Sequence, residues 1–165
     1  LNALLESRGK HDPAPRCLER VNLTFELIMD YGAFRDVQRH RMATIITDPL
    51  GSSYGYETPD LISECGLTED YEKLMTLASE THAELSGAGF IHEAPYVLPL
   101  AYRVRTLMTA NLRELVHFIE LRTGRGGHPS YRKIALGVYE EVARVYPKIA
   151  AFIRPNKGAF ALTRE

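Results

Sequence analysis

Apolar and polar residues alternate along two stretches of the chain, Leu18 to Met29 and Tyr102 to Met108. Every second position in each stretch carries an apolar or small side chain, which is typical of a strand with one buried face. The inward positions are Val21, Leu23, Phe25 and Leu27 in the first stretch and Tyr102, Val104, Thr106 and Met108 in the second. The pattern predicts two half-buried strands that lie far apart in sequence.

Helical spacing predicts helices around these strands. Their expected ranges are the end of a helix at 1–7, carrying Leu1, Leu4 and Leu5, and then 31–41, 68–87, 112–122 and 130–153. Asp30, Thr68 and Asn111 stand where N-caps are favoured, and Glu114 completes a capping box with Asn111. Pro147 is expected to kink the last helix.

The helix at 68–87 and the last helix should each present one apolar face to a core. The expected core positions are Tyr71, Leu74, Met75, Ala78 and Leu85 in the former and Ile134, Val138, Val142, Tyr146 and Ile149 in the latter. Segment 47–59 is rich in Pro, Gly and Ser, which predicts a loop. Strands and helices are mixed without regular alternation, so the fold class predicted is α+β.

Length and composition fit one globular domain. The 165 residues are 45% hydrophobic and 25% charged, so we expect residues 1–165 to form a single domain. Because the chain begins at Leu1 within a helical pattern, we expect it to be a fragment of a longer polypeptide. No apolar run reaches the roughly 20 residues of a membrane span and no secretory signal is present, which predicts a cytoplasmic protein.

Charge and cysteine content narrow the possible functions. The 20 Lys and Arg residues nearly balance the 21 Asp and Glu residues, giving a net charge of −1. This balance disfavours binding of nucleic acid through a broad basic face. Cys17 and Cys65 match no metal-ligand spacing, so neither a metal site nor a disulfide is predicted.

A short basic cluster, Gln38-Arg39-His40-Arg41, is the most unusual local feature. It fits the solvated end of a helix, where cations are favoured. In an extended segment, Arg39 and Arg41 would instead lie on one side and His40 on the other, which suits binding of a phosphate or a flavin. Spacing leaves both interpretations open.

A second feature is the predicted helix at 111–122, where Arg122 falls on the side of Leu115 and Phe118. The opposite side carries Arg113, His117 and Glu120. Arg122 fits an arginine that extends to water over apolar neighbours. It also fits a guanidinium that a ligand must satisfy, because desolvating it without an acceptor is costly. His117 is equally consistent with an ordinary surface histidine.

Together the two features resemble the flavin-dependent thymidylate synthase (ThyX) family. The resemblance rests on Arg-His-Arg-Met-Ala-Thr at 39–44, Leu-Pro-Leu at 98–100 and Asn-x-Arg-Glu-Leu-x-His-Phe-x-Glu-Leu-Arg at 111–122. It implies a ThyX-like α+β fold that lacks part of the family's N-terminal region, and self-association as a dimer or tetramer with sites between subunits. It also implies bound FAD and methylation of dUMP to dTMP, with methylene-tetrahydrofolate and NADPH as co-substrates.

The resemblance also implies roles for individual residues. It assigns flavin contacts to Arg39, His40, Arg41, Asn111 and His117. It assigns Arg122 to the pyrimidine of the nucleotide and to catalysis, and Ser53 to substrate binding. Arg122→Ala is expected to weaken nucleotide binding about tenfold or more and to leave the melting temperature without ligand nearly unchanged.

The chain departs from the family pattern in several places. Thr44 stands at the first serine of the motif, and segment 45–54 lacks the asparagine, later serine and arginine that follow. Pro95 replaces another family arginine, and Val37 or Asp36 replaces a glutamine. Two phosphate-binding arginines are therefore absent, each worth about 1.5–3 kcal/mol. Their loss is expected to weaken nucleotide binding by several powers of ten unless Arg103, Arg105 or Arg125 substitutes for them.

Three functional hypotheses follow. The first is an enzyme or enzyme-derived domain that binds FAD and a pyrimidine nucleotide. The second is a catalytically degenerate ThyX-like domain that serves as a structural or regulatory half of a tandem or oligomeric protein, which the altered segment 45–54 favours. The third, a small nucleic-acid binder, is disfavoured by the balanced charge and by the lack of aromatic residues within a basic patch.

Overall fold

The computed structural model describes residues 5–9 and 11–158, which form an α+β fold with a three-stranded sheet. The strands are β1 (Asn22–Asp30), β2 (Thr44–Thr47) and β3 (Arg103–Asn111), in the order β1-β3-β2. The sheet is antiparallel. The predicted fold class is therefore confirmed.

Six helices and two short 3-10 turns complete the secondary structure of the described residues. The helices are α1 (Tyr31–Val37), α2 (Asp60–Glu64), α3 (Thr68–Gly87), α4 (Leu112–Arg122), α5 (Pro129–Val145) and α6 (Pro147–Ala150), and the turns are Arg16–Arg20 and Ala94–Val97. Leu5 is helical and buried. Leu1 and Leu4, on which the first predicted helix also rests, lie outside the described residues.

The alternating stretches are strands, as predicted. The inward positions of β3, Val104, Thr106, Met108 and Ala110, are all buried. β1 begins at Asn22, because residues 16–20 form a 3-10 turn instead. β2 was not predicted; it has four residues and is mostly exposed, so it carries no strong apolar pattern.

Two of the predicted helix caps are confirmed and one is wrong. Asp30 Oδ1 accepts a hydrogen bond of 2.8 Å from the amide of Ala33. Asn111 Oδ1 accepts one of 2.9 Å from the amide of Glu114. Thr68 is instead the first residue of α3, and the preceding residue stands at the N-cap without a side-chain hydrogen bond.

Two helix ranges and one core position also differ from expectation. α1 ends at Val37 rather than at residue 41. Pro147 ends α5 instead of kinking it, because proline lacks an amide donor and disfavours helical geometry at the preceding Tyr146. On α3, Met75 is buried but the predicted core residue Leu74 is 54% exposed. α3 therefore buries a narrower face than its apolar spacing predicts.

The chain divides into two compact units. The described part of the first unit comprises residues 5–9, 11–27, 36–46 and 107–158, and the second comprises 28–35 and 47–106. In the first unit α4 packs against α5 and against the turn Arg16–Arg20. The fully buried residues of these helices include Leu112, Leu115, Phe118, Ile119, Ala135 and Val142.

The second unit has its own apolar cluster. α3 packs against the turn Ala94–Val97, and Met75, Ala78, Leu98 and Tyr102 form the buried cluster. The hydroxyl of Tyr102 donates a hydrogen bond to the carbonyl of Met75. Burial raises the pKa of Tyr102. Among the described residues, none of the helices combines the length and apolarity that crossing a membrane requires.

Candidate functional site

The first unit contains a cavity of about 260 Å³ between α4 and the turn that follows α1. Its lining residues are Arg39, His40, Arg41, Met42, Glu114, His117, Leu121 and Arg122. We call this cavity the cleft. It brings together four of the five predicted flavin contacts and the predicted nucleotide contact Arg122. The lining residues of the turn and those of α4 are about 70 to 80 positions apart in the sequence.

The basic cluster occupies consecutive turns and is neither helical nor extended. The amide of His40 donates to the carbonyl of Val37 at 3.1 Å, and the amide of Ala43 donates to the carbonyl of His40 at 3.0 Å. His40 is only 5% exposed, whereas Arg39 and Arg41 are exposed. The two arginines therefore face solvent and the histidine faces the core, as expected for the extended case, although the backbone is turned.

The ring of His40 is held by hydrogen bonds at both nitrogens. Its Nδ1 lies 2.7 Å from Oε1 of Glu114, and its Nε2 lies 2.9 Å from Nε of Arg122. Arginine Nε can only donate, so His40 Nε2 accepts and Nδ1 carries the proton that is donated to Glu114. The Glu114–His40–Arg122 network thereby selects one neutral tautomer of His40. The rings of His40 and Phe118 also pack in an edge-to-face arrangement, with centroids 4.9 Å apart.

Arg122 finds its acceptors within the chain. Nη2 donates to the backbone carbonyl of Asp36 at 2.7 Å, and Nη1 donates to Asp36 Oδ1 at 3.3 Å. The guanidinium also lies over the ring of Tyr131, 5.4 Å from its centroid. The inference that a ligand must satisfy this guanidinium is therefore wrong, because Asp36 and His40 do so. Its role in nucleotide binding stays a prediction.

Asn111 and His117 have different surroundings. Asn111 caps α4 through its side-chain oxygen and is not among the residues that line the cleft. His117 is exposed on α4, and its ring centroid lies 5.8 Å from that of His40. His117 therefore lies at the cleft, whereas Asn111 stabilises the start of the same helix.

A second cavity of about 490 Å³ lies in the same unit. Its lining residues are His11, Asp12, Pro13, Ala14, Arg113, Glu114, Val116, His117 and Glu120. It shares Glu114 and His117 with the cleft, so the two cavities are neighbours along α4. Arg113 is held by Glu19 Oε1 at 2.7 Å. Hydrogen bonding to Arg16, and secondarily to Arg113, holds the pKa of the Glu19 carboxyl below its usual value.

Sequence reasoning missed a partly buried ion pair beside the second cavity. Nη2 of Arg8 contacts both carboxylate oxygens of Glu120, and the Arg8 side chain is only 4% exposed. The amide of Arg154 donates to the same carboxylate at 3.0 Å. Arg8, Glu120 and Arg154 come from three distant parts of the chain. The spacing of residues within any one segment therefore could not have predicted the ion pair.

The predicted substrate residue Ser53 lies in the second unit. It is exposed in a turn that precedes Gly55, whose φ of 67° favours glycine. Two arginines considered as substitute phosphate contacts already have acidic neighbours. Arg103 pairs with Glu57 at 2.5 Å, and Arg105 lies 4.0 Å from Asp48.

Within the described residues, no group of three or more His, Cys, Asp or Glu side chains is placed to hold a metal ion. The polar side chains of the cleft and of its direct contacts are arginines, histidines and the carboxylates of Glu114 and Asp36. Such a set binds by hydrogen bonds and charge. It is suited to an anionic organic ligand.

Comparison with known proteins identifies the family. A family model described as thymidylate synthase complementing protein (Thy1) matches residues 2–148. A flavin-dependent thymidylate synthase from Sulfurisphaera tokodaii is 32% identical over 131 residues, covering 75% of this chain and 51% of that protein. The chain belongs to the Thy1 family.

Other relatives carry a less specific name. A UPF0159 protein from Thermoplasma acidophilum is 39% identical over 151 residues, covering 90% of this chain and 30% of the relative. A UPF0159 protein from Chlamydia muridarum is 36% identical over 146 residues, covering 88% of this chain and 27% of the relative. The chain thus spans less than a third of these relatives and about half of the Sulfurisphaera synthase.

Proposed function

We propose that the first unit binds FAD and a pyrimidine nucleotide at the cleft, as part of a flavin-dependent thymidylate synthase-like protein. The observation that carries this proposal is the convergence of Arg39, Arg41, His117 and Arg122 around one cavity. Membership of the Thy1 family supports it. When bound, the reduced flavin would supply the redox chemistry for methylation of dUMP to dTMP. Methylene-tetrahydrofolate and NADPH would then be the co-substrates.

The side chains around the cleft fit the chemistry of a flavin nucleotide. Arg39 has a side chain that is 72% exposed, and Arg41 is also exposed. Their planar guanidinium groups can donate paired hydrogen bonds to a pyrophosphate. Met42 and Leu121 line the same cavity and are 72% and 53% exposed. They offer apolar surface for a flat ring system, next to the cations that would hold its phosphates.

Glu114 and His40 would act by holding Arg122 in place. Glu114 fixes the tautomer of His40, and His40 in turn holds Nε of Arg122. The two terminal nitrogens of Arg122 carry four N–H groups, of which the described contacts with Asp36 use two. Arg122 can therefore donate further hydrogen bonds to a pyrimidine carbonyl while it remains anchored. Binding would not require the network to break.

Titration with FAD tests the proposal. We expect flavin fluorescence to be quenched at micromolar protein. The Arg39→Ala, Arg41→Ala double variant should bind at least about a hundredfold more weakly, because it loses two charge-assisted bonds of about 1.5–3 kcal/mol each. The Arg16→Ala, Arg144→Ala double variant is the matched control, because both arginines are exposed and neither lines the cleft. Absence of quenching at tens of micromolar protein and low salt would contradict a flavin site.

A second candidate function is a catalytically degenerate half of a longer protein. The 151 residues matched in the Thermoplasma relative are 30% of it, whereas 131 residues are 51% of the Sulfurisphaera synthase. The UPF0159 relative is thus about twice as long as the synthase, which leaves room for a second domain of similar size. The altered segment 45–54 supports lost or weakened nucleotide chemistry.

Two measurements separate the candidates. Nicotinamide oxidation that depends on both dUMP and folate, at a rate ordinary for such enzymes, would favour the active enzyme. FAD binding without turnover in the full-length protein would favour the degenerate domain. In both cases we expect a dimer or larger assembly by sedimentation, and a strict monomer at tens of micromolar with FAD would contradict shared sites.

A further inference from the structure

An acidic residue contacts both a partly buried and an exposed arginine of the cleft. Oδ1 of Asp36 lies 3.3 Å from Nη1 of Arg122 and 3.8 Å from Nη1 of Arg39. The Asp36 side chain is 32% exposed, whereas that of Arg122 is only 13% exposed. A carboxylate thus lies beside both guanidinium groups.

The side chain of Asp36 is not needed to anchor Arg122. The shortest contact of Arg122 with this residue is the 2.7 Å hydrogen bond to the backbone carbonyl, and His40 holds Nε at 2.9 Å. Both bonds are independent of the charge on the carboxylate. The carboxylate therefore changes the electrostatic potential of the cleft more than it changes the position of Arg122.

We propose that Asp36 is an internal counter-anion that sets the charge specificity of the cleft, lowering its affinity for a phosphate-bearing ligand relative to an uncharged ligand with the same ring. This inference rests on the proposed function. A ligand phosphate bound near Arg39 or Arg122 would lie within several ångströms of the carboxylate. Repulsion between unit charges at that separation, in a partly exposed site, changes affinity by on the order of tenfold.

The test compares dUMP with deoxyuridine, which share the ring and sugar and differ in the phosphate. In Asp36→Asn the amide oxygen can still accept from Arg122, and the negative charge is removed. We expect the affinity for dUMP to rise about tenfold and that for deoxyuridine to stay within about twofold, as read by calorimetry. The gain should shrink in high salt, because screening weakens the repulsion.

Glu141→Gln provides the matched control. It removes one negative charge in the same unit, and Glu141 pairs with Arg144 on α5 away from the cleft lining. Asp36→Ser serves as a second charge-removing variant if Asp36→Asn does not fold. The proposal is overturned if dUMP affinity is unchanged, if both ligands gain equally, if Glu141→Gln gives the same gain, or if no variant binds either ligand.

Failure of this inference and failure of the proposed function are distinguishable. FAD quenching is measured in parallel on the wild-type chain. If FAD binds and Asp36→Asn leaves dUMP affinity unchanged, only the role of Asp36 is wrong. If FAD does not bind, the flavin proposal fails, while the comparison of dUMP with deoxyuridine still decides the effect of Asp36.

Discussion

Removing the guanidinium of Arg122 should destabilise the protein even without ligand. Arg122→Ala takes the donor from the buried His40 Nε2 and from the carbonyl of Asp36. An unsatisfied buried polar group costs about 1–3 kcal/mol, whereas the partly exposed Asp36 can bond to water. The lost contact with Tyr131 adds about 0.5–1 kcal/mol. The expected loss of unfolding free energy is therefore about 2–3 kcal/mol.

For a chain of this size, a loss of that magnitude corresponds to a fall in melting temperature of roughly 5–10 °C. Circular dichroism on the ligand-free chain measures it. Arg125→Ala is the matched control, because Arg125 is an exposed arginine just beyond the end of α4 and should melt within about 1 °C of the wild type. If Arg122→Ala also melts within about 1 °C, the described hydrogen bonds contribute nothing, and the sequence-based expectation of an unchanged melting temperature is restored.

Three further perturbations test the network, the cap and the second unit. Glu114→Ala should lower the free energy of unfolding, measured in urea, by about 2 kcal/mol. Glu114→Gln should lower it clearly less, because an amide oxygen still accepts from His40 Nδ1. Equal losses in the two variants would argue against the hydrogen bond. Asn111→Ala should lower the free energy of unfolding by about 1 kcal/mol because the helix cap is lost, whereas Asn111→Asp keeps a capping oxygen and should change it little. If urea unfolding shows the larger loss in Asn111→Asp, the cap is refuted. Because burial raises the folded-state pKa of Tyr102, its contribution to stability is full below about pH 10 and declines as pH rises from there towards the folded pKa. The decline in urea midpoint above pH 10 should be shallower in Tyr102→Phe, and an identical slope would contradict this.

The parts of the fold that were predictable depend on neighbours in sequence. The alternation in β3 and the cap at Asn111 are local signals, and both the strand and α4 lie where expected. The four-residue edge strand β2 carries no such signal, because most of its residues are exposed. Leu74 was predicted to be buried and is exposed. Helical spacing identifies the apolar side of a helix, but it does not show how much of that side the rest of the unit covers.

The sequence motifs indicated part of the cleft lining and none of the contacts within it. Family motifs identified His40 and Arg122, but their partners Glu114 and Asp36 are 74 and 86 positions away from them. No periodicity links positions so far apart. The end of α1 at Val37 was also not predictable from local sequence, because residues 38–41 contain no helix breaker. The turn formed by these residues places His40 within hydrogen-bond distance of the distant Glu114.

The residues of the cleft fall into two groups that experiment can separate. Glu114 and Arg122 are inward and each bonds to the buried His40, so replacing any of the three changes stability whether or not a ligand binds. Arg39 and Arg41 are exposed, so replacing them should change ligand affinity and leave stability nearly unchanged. A degenerate domain needs only the inward group to keep its fold. Retention of FAD affinity that depends on the outward arginines would therefore indicate a binding function beyond structural support.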